Sequence, residues 1–167
     1  MRGGWAGKIL DVDLSSGQIT SRSTDRYIDN CLGGRAMAAQ IAWDELPADA
    51  DVFSPENLII LATGPLTGTL APTGGRMVMT SLSPRIYPRP WYTFSTLGGW
   101  FGPAMKYAGY DAMILRGKAN HPVYLEIWEG KAVLKDAGDL WGLDARQTQL
   151  ELKNRYDRRH SPLRAVR

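Results

Sequence analysis

Residues 58–81, LIILATGPLTGTLAPTGGRMVMTS, hold an apolar run, a turn-rich connection and an alternating run in succession. Residues 58–63 are short, continuously apolar and stopped by Gly64-Pro65, the pattern of a strand buried on both faces. Residues 76–81 alternate apolar and polar, the period of a second strand. Between them, residues 64–75 are too rich in Gly, Pro and Thr for either regular element.

Outward from this stretch the pattern stays mixed. Residues 8–14 and 18–23 read as a hairpin around Ser15-Ser16-Gly17. Thr24 and Asp25 suit an N-cap, and Tyr27, Ile28, Cys31 and Leu32 recur at helical spacing up to Gly33-Gly34. Residues 35–46 continue as an Ala-rich helix with Met37, Ile41 and either Trp43 or Leu46 inward, stopped by Pro47. Residues 91–94 suit a strand, and 101–108 a short helix with Pro103 in its first turn. Residues 111–115 are a strand, 123–128 and 131–135 a second hairpin. Asp144 caps a last helix, with Gln147 as its reciprocal partner, running to about Tyr156. Six to eight strands and three or four helices do not alternate strictly, which predicts an α+β fold with mostly antiparallel sheet. Trp5 is expected to be a packing anchor.

Charge is distributed unevenly. From Asn57 to Tyr110 there is no Asp or Glu, and the charged residues are Arg76, Arg85, Arg89 and Lys106. That +4 accounts for the whole formal net charge of +3, since the remainder nets to −1. Glycine lets a backbone approach a ligand and offer bare N–H groups, and arginine supplies a forked donor for phosphate or carboxylate. Gly74-Gly75-Arg76 combines both. Gly98-Gly99, with the Thr96 hydroxyl just ahead and a helix just after, is a second such element. Turn chemistry alone also accounts for the glycines and prolines. Gly33-Gly34-Arg35 reads first as a helix–helix turn and second as a ligand contact. No P-loop or dinucleotide-binding fingerprint is present.

Catalytic constellations are missing. No G-x-S-x-G occurs, Cys31 lies in a helical pattern that suits a core thiol, and Asp11, Asp13, Asp44 and Glu45 read as solvated faces. Lys106 and Asp111 read as a structural ion pair. A single cysteine excludes an internal disulfide, a cysteine-held iron–sulfur cluster and a multi-thiolate zinc site made by these residues alone, and fits a cytoplasmic setting. His121 and His160 stand apart, without a ligand pattern. Outside the middle segment bases concentrate only in residues 153–167, without the aromatic interleaving of a nucleic-acid surface, and no run is apolar enough to span a bilayer. The residues alone support binding of a polyanionic ligand.

Five stretches taken together resemble a family: GKILDVDLSSGQIT (7–20), LGGRAMAA (32–39), SPENLIILATGPLTGTLAPTGGR (54–76), GGWFGPAMKYAGYDAMILRGKA (98–119) and PVYLEIWEGKAVLKDAGDLWG (122–142). In this order and spacing they are similar to the N-terminal domain of the tungsten-containing aldehyde:ferredoxin oxidoreductases, over residues 3 to 156. The resemblance implies a two-sheet β-rich base on which two pyranopterins lie, their dithiolene sulfurs holding tungsten or molybdenum. It implies aldehyde-to-carboxylate oxidation or its reverse, with electrons passing through a [4Fe–4S] cluster to ferredoxin or an iron–sulfur partner subunit. On this resemblance Arg76 meets a pterin phosphate and Gly98 presents backbone to the pterin. The position two before Gly98-Gly99 is commonly Asn, helping to hold a magnesium that bridges the phosphates; here it is Thr96. The loop at residues 83–89 departs from the family, making Arg85 and Arg89 candidates for altered pterin or subunit contacts.

The cluster cysteines and the second pterin site are expected in polypeptide beyond residue 167, so this chain is not expected to turn over alone. Residues 157–167, ending HSPLRAVR, are expected to be a basic tail outside a 1–156 domain, the end of a truncated or frame-shifted product. Apolar surface that helical domains would cover is expected to drive aggregation or homodimerisation. The alternatives are a non-enzymatic phosphate- or nucleotide-binding module and an interaction domain. Neither nucleic acid nor membrane is an expected partner.

Overall fold

The computed structural model describes residues 3–85 and 88–156. The predicted tail and His160 lie outside the described residues. The elements are β1 (Lys8–Asp13), β2 (Ile19–Ser23), α1 (Asp25–Ile28), α2 (Gly34–Glu45), β3 (Leu58–Thr63), β4 (Met77–Ser83), β5 (Trp91–Leu97), α3 (Phe101–Tyr107), β6 (Ala112–Arg116), β7 (Val123–Trp128), β8 (Lys131–Asp136) and α4 (Ala145–Arg155). Six strands form one sheet in the order β2-β1-β6-β3-β4-β5, and β7-β8 form a separate hairpin. All pairings are antiparallel except β1 with β6. This is the α+β, mostly antiparallel, two-sheet architecture that the sequence predicts.

The strand period places the core. Alternate residues of β1, β3 and β6 serve opposite faces. Ile9, Ile60 and Ile114 pack under α2 with Met37 and Ile41. Leu10, Val12, Leu61 and Met113 pack against α3 and the β7–β8 hairpin through Met105, Leu125 and Ile127. These central strands are covered on both sides; in β3 only Ile59 breaks the buried pattern. β2 and β5 are the sheet edges.

Several expectations are corrected. α1 is a single turn ending at Ile28. Thr24 makes no side-chain cap there; it is fully buried and its hydroxyl donates to Asp111 Oδ2 at 3.1 Å. Trp43 is 86% exposed, and Leu46 takes the inward position. β5 runs to Leu97, because pairing with β4 from Met77 to Ser83 holds it extended past Phe94. Asp11 and Glu45 are not on solvated faces. Arg116 donates to both oxygens of Asp11, at 3.1 and 2.8 Å, and to Glu45 at 2.9 Å, while Arg22 also pairs with Glu45. This network fastens the end of α2 to β1, β2 and β6.

Other local readings hold. The Glu129-Gly130 turn has positive φ at both residues, as a two-residue hairpin connection requires. Asp144 Oδ1 accepts from the Gln147 amide at 2.7 Å and the Gln147 side chain accepts from the Asp144 amide, a complete capping box. Asp144→Ala is expected to cost about 1 kcal/mol, read as loss of α4 amide protection in hydrogen exchange. Unchanged exchange along α4 would show the cap to be dispensable.

The strongest tertiary node joins the chain start to the sheet. Asp111 is 0% exposed. Its carboxylate accepts from the Ala6 and Gly7 amides at 2.9 and 2.7 Å, from Thr24, and from Lys106 Nζ at 2.5 Å. Lys106 also donates to the Gly4 carbonyl and stands over the Trp5 ring. Trp5 is thereby a packing anchor, as expected, and the Lys106–Asp111 pair is structural.

Candidate functional site

The turn-rich connection between β3 and β4 folds into a compact loop against α3. Thr67 is its buried pin: its hydroxyl accepts from the Gly64 amide at 3.2 Å and donates to the Arg76 carbonyl at 3.1 Å. The Gly68 amide reaches the Gly74 carbonyl at 3.1 Å, and Tyr107 of α3 donates to the Gly68 carbonyl at 2.6 Å. Gly74 is obligatory in this packing, because a Cβ there would lie 2.7 Å from the Leu66 carbonyl oxygen.

Between this loop, the end of β5 and α3 lies an open cleft of about 480 Å³. Gly75, Arg76, Gly98 and Gly99 line it, together with Gly68, Thr73, Trp100 and Tyr107. No carboxylate is among the lining residues. The β4–β5 register brings the two glycine pairs together. Met77 pairs with Leu97, so the residues just before β4 face those just after β5. A Cβ on Gly75 would lie 3.1 Å from the Gly99 carbonyl, while Gly98 and Gly99 open on empty space. Gly99 has φ +82°, which presents its peptide in an orientation other residues rarely adopt.

Arg76 is exposed, and Nη1 donates to Thr96 Oγ1 at 3.2 Å. No acid among the described residues is paired with it. Thr96 sits beside the cleft rather than in its lining and is joined to it through Arg76. The sequence-predicted residues Gly75, Arg76, Thr96, Gly98 and Gly99 are thus brought to one end of the sheet. Thr67 and Tyr107, which hold the loop, were missed. Tyr107 has no local mark, since its partner Gly68 lies 39 positions away, and Thr67 is one of several threonines in the loop until the fold of the loop brings the Arg76 carbonyl to it. α3 is a seven-residue helix with Trp100 as its N-cap residue, and it adds no further anion-binding terminus.

The arrangement suits an oxyanion rather than a metal ion. Open glycine peptides and an unneutralised guanidinium converge on it, and no opposing acid competes. Among the described residues no group of three or more His, Cys, Asp or Glu could hold a metal ion. Arg85 and Arg89 are exposed, and Arg89 lines a different groove with Trp43, Leu46 and Tyr92, away from the glycine cleft. No helix of the described residues is long and apolar enough to cross a membrane.

Comparison with known proteins agrees on one group. The family described as "Aldehyde ferredoxin oxidoreductase, N-terminal domain" matches residues 9–165. The tungsten-containing aldehyde ferredoxin oxidoreductase of Pyrococcus abyssi is 38% identical over 98% of this chain and 26% of its own length. An aliphatic sulfonate oxidoreductase, WOR-like subunit, of Pyrococcus furiosus is 36% identical over 82% of this chain and 22% of its own. Among solved structures, the active site complex BamBC of benzoyl coenzyme A reductase, in complex with 1,5-dienoyl-CoA, contains a similar chain. It has a TM-score of 0.87 and 40% identity, over 93% of this chain and 23% of that one. The chain therefore spans about a quarter of the length of the relatives it matches.

Proposed function

We propose, for a chain that belongs to the aldehyde ferredoxin oxidoreductase family and corresponds to its N-terminal domain, that the glycine cleft is a seat for the phosphate of a pyranopterin carrying tungsten or molybdenum. The observation that carries this reading is the union of Gly75, Gly98 and Gly99 with an Arg76 that no acid among the described residues pairs with. A phosphate needs several donors and a positive charge at close range, and this cleft supplies both without a competing carboxylate.

The residues of the cleft fit such a group. Side chains at Gly98 and Gly99 would occupy the space that a ligand needs. Arg76 would hold a phosphate through its forked donors, with Thr96 restricting its swing. The backbone at Gly98 and Gly99 would approach the ligand where no Cβ intervenes. When bound, the metal–dithiolene group supplies the two-electron exchange between aldehyde and carboxylate. This chain's residues bind and orient it. A magnesium beside this cleft would have the Thr96 hydroxyl where the family commonly has Asn, with no carboxylate in the lining to help hold it, and would supply positive charge next to phosphate.

Electron transfer through a [4Fe–4S] cluster to ferredoxin or a partner subunit needs cysteines that these 167 residues do not supply, Cys31 being the sole one. The chain alone is proposed to be inactive. Exposed Trp43, Phe53, Leu70 and Trp141 would be covered by the further length that the relatives have, or by a second copy of this chain.

The test is twofold. First, the chain is co-expressed with the remaining length of a relative in tungstate-supplemented cells and analysed for tungsten and pterin. Stoichiometric retention supports the reading. Stabilisation by nucleotides, without pterin retention, would instead favour a general phosphate-binding module. Second, phosphate titrations compare the chain with Arg76→Gln. The loss of one charged hydrogen-bonding group, about 1.5–3 kcal/mol, predicts binding weaker by roughly 10- to 100-fold. The urea midpoint should stay put, because the side chain is exposed. Equal phosphate affinity of the two proteins would remove Arg76 from the site.

A further inference from the structure

We infer that the free edge of β5 is a docking site for an extended segment of the further polypeptide that the relatives have, one that carries a carboxylate two residues from a large apolar side chain. The inference does not depend on the phosphate reading of the glycine cleft. It rests on the sheet edge, on the side chains beside it and on the family.

β5 is an end strand, paired only with β4. Residues 91–97 make no other main-chain hydrogen bond among the described residues, so their outward N–H and C=O groups stand open. Natural sheets guard such an edge with a short strand, a charge, a proline or a bulge. β2, the other edge, has five residues and carries Arg22. β5 has seven, none of them charged or proline, in unbroken register with β4 from Trp91 to Leu97. An unguarded edge of this length is a template for one more strand.

The side chains beside the edge set what that strand carries. Val78 and Tyr92 pack with the core under α2, so Tyr92, Phe94 and Thr96 face the α2 side of the sheet, successive ones about 7 Å apart. Phe94 carries the exposed Arg35, whose guanidinium stands 4.6 Å from the ring centroid and pairs with no carboxylate among the described residues. A carboxylate from the position opposite Phe94 meets a fork that is already oriented. Tyr92 lines a groove of about 830 Å³ with Trp43, Leu46, Arg89 and Asp49. That groove receives an apolar side chain from the position opposite Tyr92. Acid and apolar positions are therefore two residues apart whichever way the added strand runs.

A second copy of the chain suits this edge less well. β5 paired with itself about Phe94 would set the two Arg35 guanidiniums on one face, where like charges across a strand pair repel. No acid between Asn57 and Tyr110 is present to offset them. A strand from elsewhere in the same enzyme carries no such conflict, and the matched segment is only 26% of the Pyrococcus abyssi relative.

Two measurements test this, and the inference requires both. In the first, the blocked peptide TLTETLT is titrated into the 167-residue chain and followed by amide chemical shifts. It is compared with TLTKTLT and with a fully N-methylated TLTETLT, which keeps the side chains but cannot donate to the ladder. The Glu peptide is expected to shift residues 91–97 and to bind about tenfold tighter than the Lys peptide. The methylated peptide is expected to bind at least about tenfold more weakly. Arg35→Gln, with its folding checked by the urea midpoint, should bring the Glu and Lys peptides within about twofold, and Arg35→Lys should keep part of the preference. In the second, the chain is co-expressed with the remaining length of a relative, and exchange of the outward β5 amides should slow at least about tenfold against the chain alone. Equal binding of the Glu and Lys peptides, shifts confined to other elements, or no binding at all overturns the inference. So does unchanged β5 exchange beside the further polypeptide, which would leave the edge to another protein or to solvent. A dimer of the chain alone with protected β5 amides would make a second copy the occupant and overturn it too.

Discussion

Asp111→Ala is expected to destabilise the protein by about 3–5 kcal/mol, the cost of breaking a buried ion pair from one side. The Asp111 side chain is fully buried and that of Lys106 is 8% exposed. Truncation leaves the ammonium without a counter-ion. It also strands the Ala6 and Gly7 amides and the buried Thr24 hydroxyl, all of which the carboxylate accepts. Against a typical domain stability of about 5–15 kcal/mol, this is a large share. The segment from Gly4 to Gly7 should detach first, because Asp111 and Lys106 hold it by its main chain. Urea unfolding by Trp fluorescence reads the total, and amide exchange at Gly7 reads the local release. The double variant Lys106→Met with Asp111→Leu should recover part of the loss, since a buried pair can be replaced by apolar packing while the orphaned amides cannot. A loss under about 1 kcal/mol for Asp111→Ala would mean that water reaches this node and screens the pair.

Gly33→Ala is the second large effect, expected at about 2–6 kcal/mol. Gly33 has φ +79° and ψ −164°, a region that is essentially glycine-only and costs other residues roughly 1–3 kcal/mol. A Cβ would also sit 2.6 Å from the Thr63 carbonyl oxygen and 2.9 Å from the Trp5 ring. Thr63 is the end of a central strand and cannot move cheaply, and overpacking of this kind adds about 1–3 kcal/mol. Gly34 is the internal control. Its φ is +53°, but a Cβ there meets nothing within 4 Å. Gly34→Ala should cost only about 1–2 kcal/mol, for the left-handed backbone. Equal losses at the two glycines would show that backbone strain is the whole effect and that the contact with Thr63 is not tight. Because Gly33 sets where α2 begins, Gly33→Ala should also shift Arg35 off Phe94, seen as altered Phe94 ring resonances.

Much of the fold was legible from local pattern. The alternation in residues 8–14 and 123–128 gave both hairpins, and the Asp144–Gln147 capping box gave the start of α4. The glycine pairs at 74–75 and 98–99, the lone Arg76 and the absence of acids marked the cleft residues before any pairing was known. What failed had a common cause. Helical spacing allows either Trp43 or Leu46 to face inward, and only the position of the sheet under α2 chooses Leu46. Asp11 and Glu45 read as solvated, since the arginines that pair with them lie up to 105 positions away. β5 was read too short, because residues 95–97 have little strand character until β4 pairs with them.

By itself the sequence determined the local elements, the order of motifs that gives the family, and the acid-free, glycine- and arginine-bearing character of the cleft residues. Each depends on neighbouring residues or on composition, which the chain carries whether folded or not. Only the tertiary structure decided that Gly75 and Gly98 face one cleft, that Asp111 anchors the chain start, and that Arg35 and Arg76 share a strand edge. Those contacts close long loops, and they depend on strand register: a one-residue slip would turn Thr96 and Phe94 to the opposite face and part both arginines from their supports.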